Sequence, residues 1–120
     1  MWEHVWHEAL NPLAFLERSA LVYADKAAVV YKDTRYTYGE LYARVNRLAG
    51  ALKHAGVRQG DRVAFLVPNL PAMLEGHYGP LRVGAILVAI NIRLSPRGVA
   101  YILNHSGAKV LVFDAELAPT

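Results

Sequence analysis

Histidine, serine and carboxylate side chains are the groups in this sequence that could carry out acid–base, nucleophilic or metal chemistry. His4 and His7 could share one face of a helix, but a zinc site needs further ligands at fixed spacing, so a solvated N-terminal segment is the favoured interpretation. Ser106 lacks the flanking glycines of a nucleophile elbow, and Asp114 follows a predicted strand, so a Ser–His–Asp triad is not indicated. We therefore predict no catalytic and no metal-binding residue in the chain.

Two further histidines have structural explanations. His77 stands inside a predicted helix, where a packed interior or interface histidine is favoured over a catalytic one. His105 falls in the last turn of another predicted helix, where its positive charge would interact favourably with the helix dipole.

Glycines could also build a phosphate-binding loop. Gly76, Gly79 and Gly84 come close to such a loop, but Ala85 and Ile86 stand where a Walker A sequence requires Lys and Ser/Thr. No G-x-G-x-x-G pattern follows a predicted strand. Neither type of nucleotide loop is predicted.

A cluster of tyrosines could form a stacking platform for single-stranded nucleic acid; its members are Tyr23, Tyr31, Tyr36, Tyr38 and Tyr42. Lys and Arg do not alternate with these rings, so packing of a hairpin on a helix is the favoured explanation. The net charge is only +3 and the basic residues are scattered, so no nucleic-acid partner is predicted.

The segment Val63–Val67 is the most informative structural element. It is an unbroken apolar run with Gly60-Asp61 before it and Pro68-Asn69 after it, which predicts a strand buried on both faces of a parallel sheet. Thr37 and Glu40 form a T-x-x-E capping box that begins an amphipathic helix, and Gly56 ends this helix.

Turn residues and apolar periodicity predict the remaining elements. The first is a helix capped by Asn11, with Pro12 at its first position. A hairpin follows, with strands at Ala27–Tyr31 and Arg35–Thr37 around a turn at Lys32–Thr34. After the buried strand come a helix capped by Asn69 and running to about Val83, a strand at Ile86–Ile90, a helix opened by Ser95-Pro96 and closed by Gly107, and a strand at Val110–Phe113. Gly76, Gly79 and Pro80 predict that the helix after Asn69 is kinked or pressed closely against a neighbouring backbone. The predicted fold class is α/β, with a mostly parallel sheet, helices on both of its faces and an N-terminal β-hairpin.

The composition limits location and partners. The chain is 54% apolar and 19% charged, against about 45–50% and about 25% in an ordinary domain, which predicts an apolar surface for a partner or, alternatively, an unusually well-buried thermostable domain. The longest apolar run, Gly84–Ile90, is too short to span a bilayer, and no secretory signal pattern is present at the N-terminus. Without cysteine the chain can form no disulfide, and we expect a cytoplasmic protein.

Several segments resemble the opening of the AMP-forming acyl-CoA synthetases, the adenylate-forming ligases. The matching segments are Tyr36–Leu41, Gly60–Ala64 with Pro68-Asn69, Gly84–Pro96 and Tyr101–Val110, and Asn11–Leu13 with Phe15–Arg18 is similar to the fatty-acid and short- to medium-chain acid branch. The resemblance implies that residues 1–120 form a single α/β unit, with 1–11 as an N-terminal extension, 12–114 as the ligase-like subdomain and 115–120 as a tail.

The same resemblance implies a function for the parent enzyme. Such ligases convert a carboxylic acid and ATP, with Mg²⁺, into an acyl-adenylate and then transfer the acyl group to coenzyme A. Their ATP-binding loop and catalytic lysines lie downstream of the matching region, so we expect this chain to bind no cofactor and to act as an N-terminal scaffold. His77, Tyr78, Asn91 and Arg93 are expected to contact the rest of the ligase.

Two other functions remain open at this stage. The chain could be a stand-alone interaction or self-association module that uses its apolar surface, or a nucleotide-binding domain in its own right.

Overall fold

The computed structural model describes residues 9–118, so the N-terminal segment with His4 and His7 lies outside the described residues. The elements, in chain order, are α1 (Pro12–Val22), β1 (Ala27–Tyr31), β2 (Thr34–Thr37), α2 (Tyr38–His54), β3 (Arg62–Leu66), α3 (Pro71–Arg82), β4 (Ile86–Ala89), α4 (Pro96–Ser106), β5 (Val110–Phe113) and a short 3₁₀ turn (Ala115–Leu117). No helix of this described part is both long enough and apolar enough to cross a membrane.

Three parallel strands form the central sheet in the order β4-β3-β5. Val63 of the middle strand lies opposite Leu87 on one side and Val110 on the other. β1 and β2 form a separate antiparallel hairpin. The prediction of an α/β fold with a parallel sheet and an N-terminal hairpin is confirmed, although Thr34 belongs to β2 rather than to the turn.

The side chains of β3 alternate between two apolar cores. Val63, Phe65 and Val67 pack with Leu52 of α2 and Met73 of α3 on the first face of the sheet. Because successive strand residues point to opposite faces, the neighbouring β3 side chains enter the second core. The prediction that this strand is buried on both faces is therefore confirmed.

The second face of the sheet is covered by α4. Ala64 and Leu66 of β3 pack there with Ile90 and with Val99 of α4. Helices α3 and α4 lie on opposite faces because their crossovers run in opposite directions along the sheet, from β3 to β4 and from β4 back past β3 to β5.

Helix α2 begins at the predicted capping box. The Thr37 hydroxyl accepts a hydrogen bond from the Glu40 backbone N–H at 3.2 Å, and the Thr37 N–H donates to the Glu40 carboxylate at 2.8 Å. Beyond the C-terminal end of the helix, Gly56 has a φ of 87°, the left-handed region that favours glycine. Asn11 and Ser95 also cap their helices as predicted.

The predicted cap of α3 was wrong. Leu70, not Asn69, is the N-cap residue, and it makes no side-chain capping bond. The reason is local: a residue before proline is held in an extended conformation, and Pro71 is the first helical residue. Asn69 therefore lies outside the helix, with its side chain free for another role.

The hairpin and α1 pack on the outer side of α2 through a third core. Its buried members are Leu16, Val29, Leu41 and Val45. Four tyrosines surround this cluster: Tyr36, Tyr38, Tyr42 and Tyr78. Three of them belong to the predicted tyrosine cluster, so packing of the hairpin on its helix is confirmed for those rings.

Candidate functional site

The carboxyl ends of β3 and β4 form the natural binding position of this sheet. The two strands are neighbours, but the chain leaves β3 toward α3 on one face and leaves β4 toward α4 on the other. In open α/β sheets a crevice opens between such divergent connections, and ligands bind there.

A cleft of about 520 Å³ occupies this position. Its walls come from the segment after β3 (Val67–Asn69), from Met73 and His77 of α3, and from the segment Ala89–Arg93 at the end of β4. We call it the switch-point cleft. Of its lining residues, Val67 and Ile90 are buried, whereas the polar side chains are exposed.

His77 is held in a defined orientation at the edge of this cleft. Its Nδ1 atom lies 2.7 Å from the carbonyl oxygen of Met73, one helical turn earlier. A carbonyl can only accept, so Nδ1 carries the hydrogen and, in the neutral ring, Nε2 is left as an acceptor. The side chain is exposed and can meet a second group.

Asn91 and Arg93 form the opposite wall. The Asn91 side-chain oxygen accepts a hydrogen bond from the Arg93 backbone N–H at 2.9 Å, which shapes the loop after β4. Both side chains are exposed, and within residues 9–118 the Arg93 guanidinium forms no ion pair.

Tyr78, the fourth residue expected at the interface, lies elsewhere. It lines a separate cavity with Leu16, Leu41 and Leu74, between α1, α2 and α3. Consecutive helical residues point about 100° apart, so Tyr78 cannot face the cleft that His77 faces. The structure thus brings together His77, Asn91 and Arg93 and leaves Tyr78 in the core of the hairpin region.

The cleft offers hydrogen-bonding groups and the positively charged Arg93 beside apolar lining residues. Asn69, which sequence reasoning assigned to a helix cap, also lines it. No cluster of three or more metal-ligating side chains occurs among residues 9–118. The arrangement suits recognition of a polar group, and it contains no pairing of a nucleophile with a base.

Contacts made by two arginines were not predicted from the sequence. Arg44 pairs with Glu75 of α3, whose side chain is only 11% exposed, and this hydrogen bond raises the pKa of Arg44. Arg82 of α3 binds Glu17 of α1 and, at 2.6 Å, the side-chain oxygen of Asn46 in α2. The partners are 31 to 65 positions apart, so no local pattern signals them.

A second polar contact lies at the amino ends of the strands, at the opposite end of the sheet from the cleft. Asp61, just before β3, accepts hydrogen bonds from the Arg58 backbone N–H at 2.7 Å and from the Lys109 ammonium at 3.0 Å. The bond from Arg58 is the largest cause of a lowered pKa of Asp61, and Lys109 adds to it. This contact ties the start of β3 to the start of β5, far from the switch-point cleft.

A parallel sheet with a polar crevice at its topological switch point is typical of ligand-binding α/β proteins. A family model described as "AMP-binding enzyme" matches residues 16–120. The chain belongs to this family of adenylate-forming enzymes, and the resemblance seen in the sequence is confirmed.

Individual relatives are acid–CoA ligases. The chain is 46% identical over 109 residues to 4-hydroxybutyrate–CoA ligase 2 of Metallosphaera sedula, covering 91% of this chain and 20% of the relative. It is 46% identical to the long-chain-fatty-acid–CoA ligase of Thermus thermophilus, covering 93% of this chain and 21% of the relative. The chain thus spans about one fifth of the length of the curated relatives it matches.

Solved structures give the same result. The N-terminal domain of FACL13 from Mycobacterium tuberculosis superposes with a TM-score of 0.88 at 38% identity, covering 92% of this chain and 29% of that one. The anthranilate–CoA ligase AuaEII in complex with anthranoyl-AMP superposes with a TM-score of 0.89 at 32% identity, covering 95% and 22%. The chain is therefore part of an AMP-binding, acid–CoA ligase family domain.

Proposed function

We propose that this chain is the N-terminal scaffold of an ATP-dependent, AMP-forming fatty acid or carboxylic acid–CoA ligase and that it has no catalytic activity alone. The observation that carries the proposal is the match over residues 16–120 to a family whose curated relatives are about five times longer. On this proposal residues 12–114 form the ligase subdomain, and ATP, Mg²⁺ and coenzyme A bind in the complete enzyme rather than to this chain. A cytoplasmic location is part of the proposal, since a chain without cysteine is compatible with a reducing compartment.

The switch-point cleft is the proposed contact with the rest of the enzyme. His77, Asn91 and Arg93 present exposed hydrogen-bonding groups there, and Asn69 stands beside them. Tyr78 does not share this position, so we keep the first three residues as the interface and assign Tyr78 to the scaffold. In the complete enzyme the cleft then supplies one wall of a site whose reactive groups come from the missing part.

Reconstitution tests this proposal. The purified chain alone should show no acid-dependent exchange of pyrophosphate into ATP, because stabilisation of the charge that develops at phosphorus requires groups outside it. Mixing it with the remaining four-fifths of the Thermus thermophilus ligase should restore exchange, whereas that remainder alone should be inactive. Exchange by the 120-residue chain alone would contradict the proposal.

A second candidate is an interaction module that associates through apolar surface. It is favoured by the exposure of α1 and its flanks, where Leu10 is 89%, Leu21 84% and Phe15 60% exposed. Light scattering separates the two functions: a stable oligomer that persists when the ligase remainder is added favours the module. A monomer that forms a complex with the ligase remainder favours the scaffold.

A further inference from the structure

Helix α1 presents an apolar stripe that none of residues 9–118 covers. Phe15 and Leu21 on its outer side are each more than half exposed, whereas Leu16 on its inner side is buried against the hairpin and α2. Arg18 lies between the two exposed residues on the same face, because residues three positions apart in a helix are neighbours. Single exposed apolar side chains are ordinary, but a contiguous set of them indicates a binding surface.

These side chains line a groove of about 490 Å³, which we call the α1 groove. Leu10 and Phe15 stand directly before the N-cap residue and four positions after it, the two positions of a hydrophobic staple. A staple fixes the angle at which the chain enters a helix, and here both of its members line the same groove. Ala9 lines it as well, so the preceding segment joins the described residues at the groove itself.

Residues 1–8 are long enough to cover this groove. An extended chain of eight residues spans up to about 26 Å, whereas the 11 residues of α1 rise about 16 Å. The segment contains both tryptophans of the chain, Trp2 and Trp6. Because they are four positions apart, the two side chains would lie on one side of the segment in a helical and in an extended backbone alike. Two large aromatic rings can therefore enter one groove together.

The charges beside the groove also favour this segment. Within residues 9–118 the Arg18 guanidinium forms no ion pair, whereas the neighbouring Glu17 is paired with Arg82. Glu3 and Glu8 carry the opposite charge and can pair with Arg18. A second copy of the stripe offers no such partner, because a two-fold pairing centred on the middle of the stripe sets one Arg18 against the other.

From these observations we infer that residues 1–8 fold back on α1 and place Trp2 and Trp6 in the α1 groove. The occupied groove is then closed to a partner, which favours the scaffold over the interaction module. The inference goes beyond the proposed function, because it concerns how residues 1–22 pack on one another in whichever enzyme contains them. Its failure would leave the proposed function standing.

Tryptophan fluorescence of the 120-residue chain tests the inference. Both tryptophans belong to residues 1–8, so emission that is excited selectively in tryptophan reports on this segment alone. The expected result is an emission maximum at shorter wavelength than that of N-acetyltryptophanamide, together with several-fold weaker quenching by acrylamide, a neutral quencher. Emission and quenching equal to those of the free amide would overturn the inference.

Variants in the groove make the test specific. Phe15→Glu and Leu21→Glu should each move the emission maximum to longer wavelength and raise the quenching several-fold, because a carboxylate in the groove stays hydrated and keeps the indole rings out. Tyr101→Glu on α4, another exposed aromatic position in a helix, is the matched control and should leave both readings at their wild-type values. Circular dichroism confirms that each variant is folded. If the two groove variants match the wild type, the tryptophans are buried elsewhere and the inference fails.

Arg18→Glu tests the charge pairing. It places a third carboxylate near Glu3 and Glu8 and should raise the quenching, whereas Arg97→Glu, at an exposed position on α4, should not. Equal quenching in the two variants would mean that the acidic segment does not lie beside Arg18, which contradicts the inference.

Dependence on chain concentration and on lipid identifies other occupants. Protection of the tryptophans in a monomer, without lipid and at every concentration, supports the inference. Protection that appears only where the chain sediments as a dimer would assign the groove to a second copy and overturn the inference. Protection that appears only with vesicles of phosphatidylcholine and phosphatidylglycerol would place residues 1–8 on a lipid surface, and the inference would fail in that case too.

Discussion

Gly76 of α3 lies directly against the ring of Phe65 at the centre of the sheet. A Cβ atom placed on Gly76 would stand 2.5 Å from Phe65 Cε1, closer than real Cβ contacts come. Phe65 is only 1% exposed, so its ring has no open space to move into. The close approach of α3 to β3 therefore requires glycine at this position, and the group it approaches is a side-chain ring rather than the neighbouring backbone that the sequence analysis named.

Gly76→Ala should destabilise the chain by about 1–3 kcal/mol, the range found for overpacked cores, even though alanine is the better helix former. Urea unfolding measures the loss. Gly50→Ala in α2 is the matched control, because a Cβ there meets nothing within 4 Å, and it should stabilise by about 0.5–1 kcal/mol. Adding Phe65→Leu to Gly76→Ala should recover part of the loss, and additive effects of the two substitutions would refute the contact.

Arg44 and Glu75 form the ion pair that joins α2 to α3. Arg44→Met should destabilise by about 2 kcal/mol, because it leaves the largely buried Glu75 carboxylate without its partner. The double variant Arg44→Met with Glu75→Leu should be more stable than Arg44→Met alone, since an apolar pair avoids the desolvation cost of a buried charge. A double-mutant cycle from urea unfolding provides the comparison, and a double variant less stable than both single variants would show that the pair has another role.

Thr37 is the hydroxyl half of the capping box that begins α2. Thr37→Ala should cost about 1 kcal/mol, because the Glu40 backbone N–H loses its acceptor. Thr37→Ser keeps the hydroxyl and should retain most of the stability in a thermal unfolding experiment. Equal losses for the two substitutions would assign the effect to the methyl group instead.

Asp61 should make the fold sensitive to acid. Its pKa is lowered in the folded state, so it stabilises the chain above its unfolded-state pKa of about 3.9, and this contribution is lost as the pH falls through the folded-state pKa. Asp61→Asn should therefore lower the melting temperature at pH 7, and the difference from wild type should shrink progressively below about pH 4.

Lys109→Met is the companion variant. It should reduce the acid sensitivity only in part, because the Arg58 backbone N–H, the largest cause of the lowered pKa, remains in place. Melting temperatures from pH 2 to pH 7, about the range over which an aspartate titrates, provide the measurement. A difference between wild type and Asp61→Asn that is constant across this range would contradict the assignment.

Local sequence signals were sufficient to predict the main helices and strands. The capping box at Thr37 and Glu40, the apolar run of β3 and the glycine after α2 all follow from interactions within a few residues, and all were confirmed. The N-cap of α3 could also have been predicted correctly. Pro71 holds the Leu70 backbone in an extended conformation, so the helix begins after Leu70 and Asn69 cannot be its N-cap residue.

Contacts between distant segments could not be predicted from local sequence patterns. Nothing near Arg82 in the sequence indicates Glu17, which lies 65 positions away, and nothing near Arg44 indicates Glu75. The polar faces of α1, α2 and α3 look solvent-exposed in sequence because periodicity reports which face is polar, not what it meets.

The sequence by itself determined the family, the order of the elements and the buried strand, because apolar periodicity, caps and turn residues act over short distances. Only the tertiary structure decided that His77, Asn91 and Arg93 share one cleft and that Tyr78 does not. Those outcomes depend on the direction in which each crossover leaves the sheet and on how the helices pack on it, and both are properties of the assembled layers.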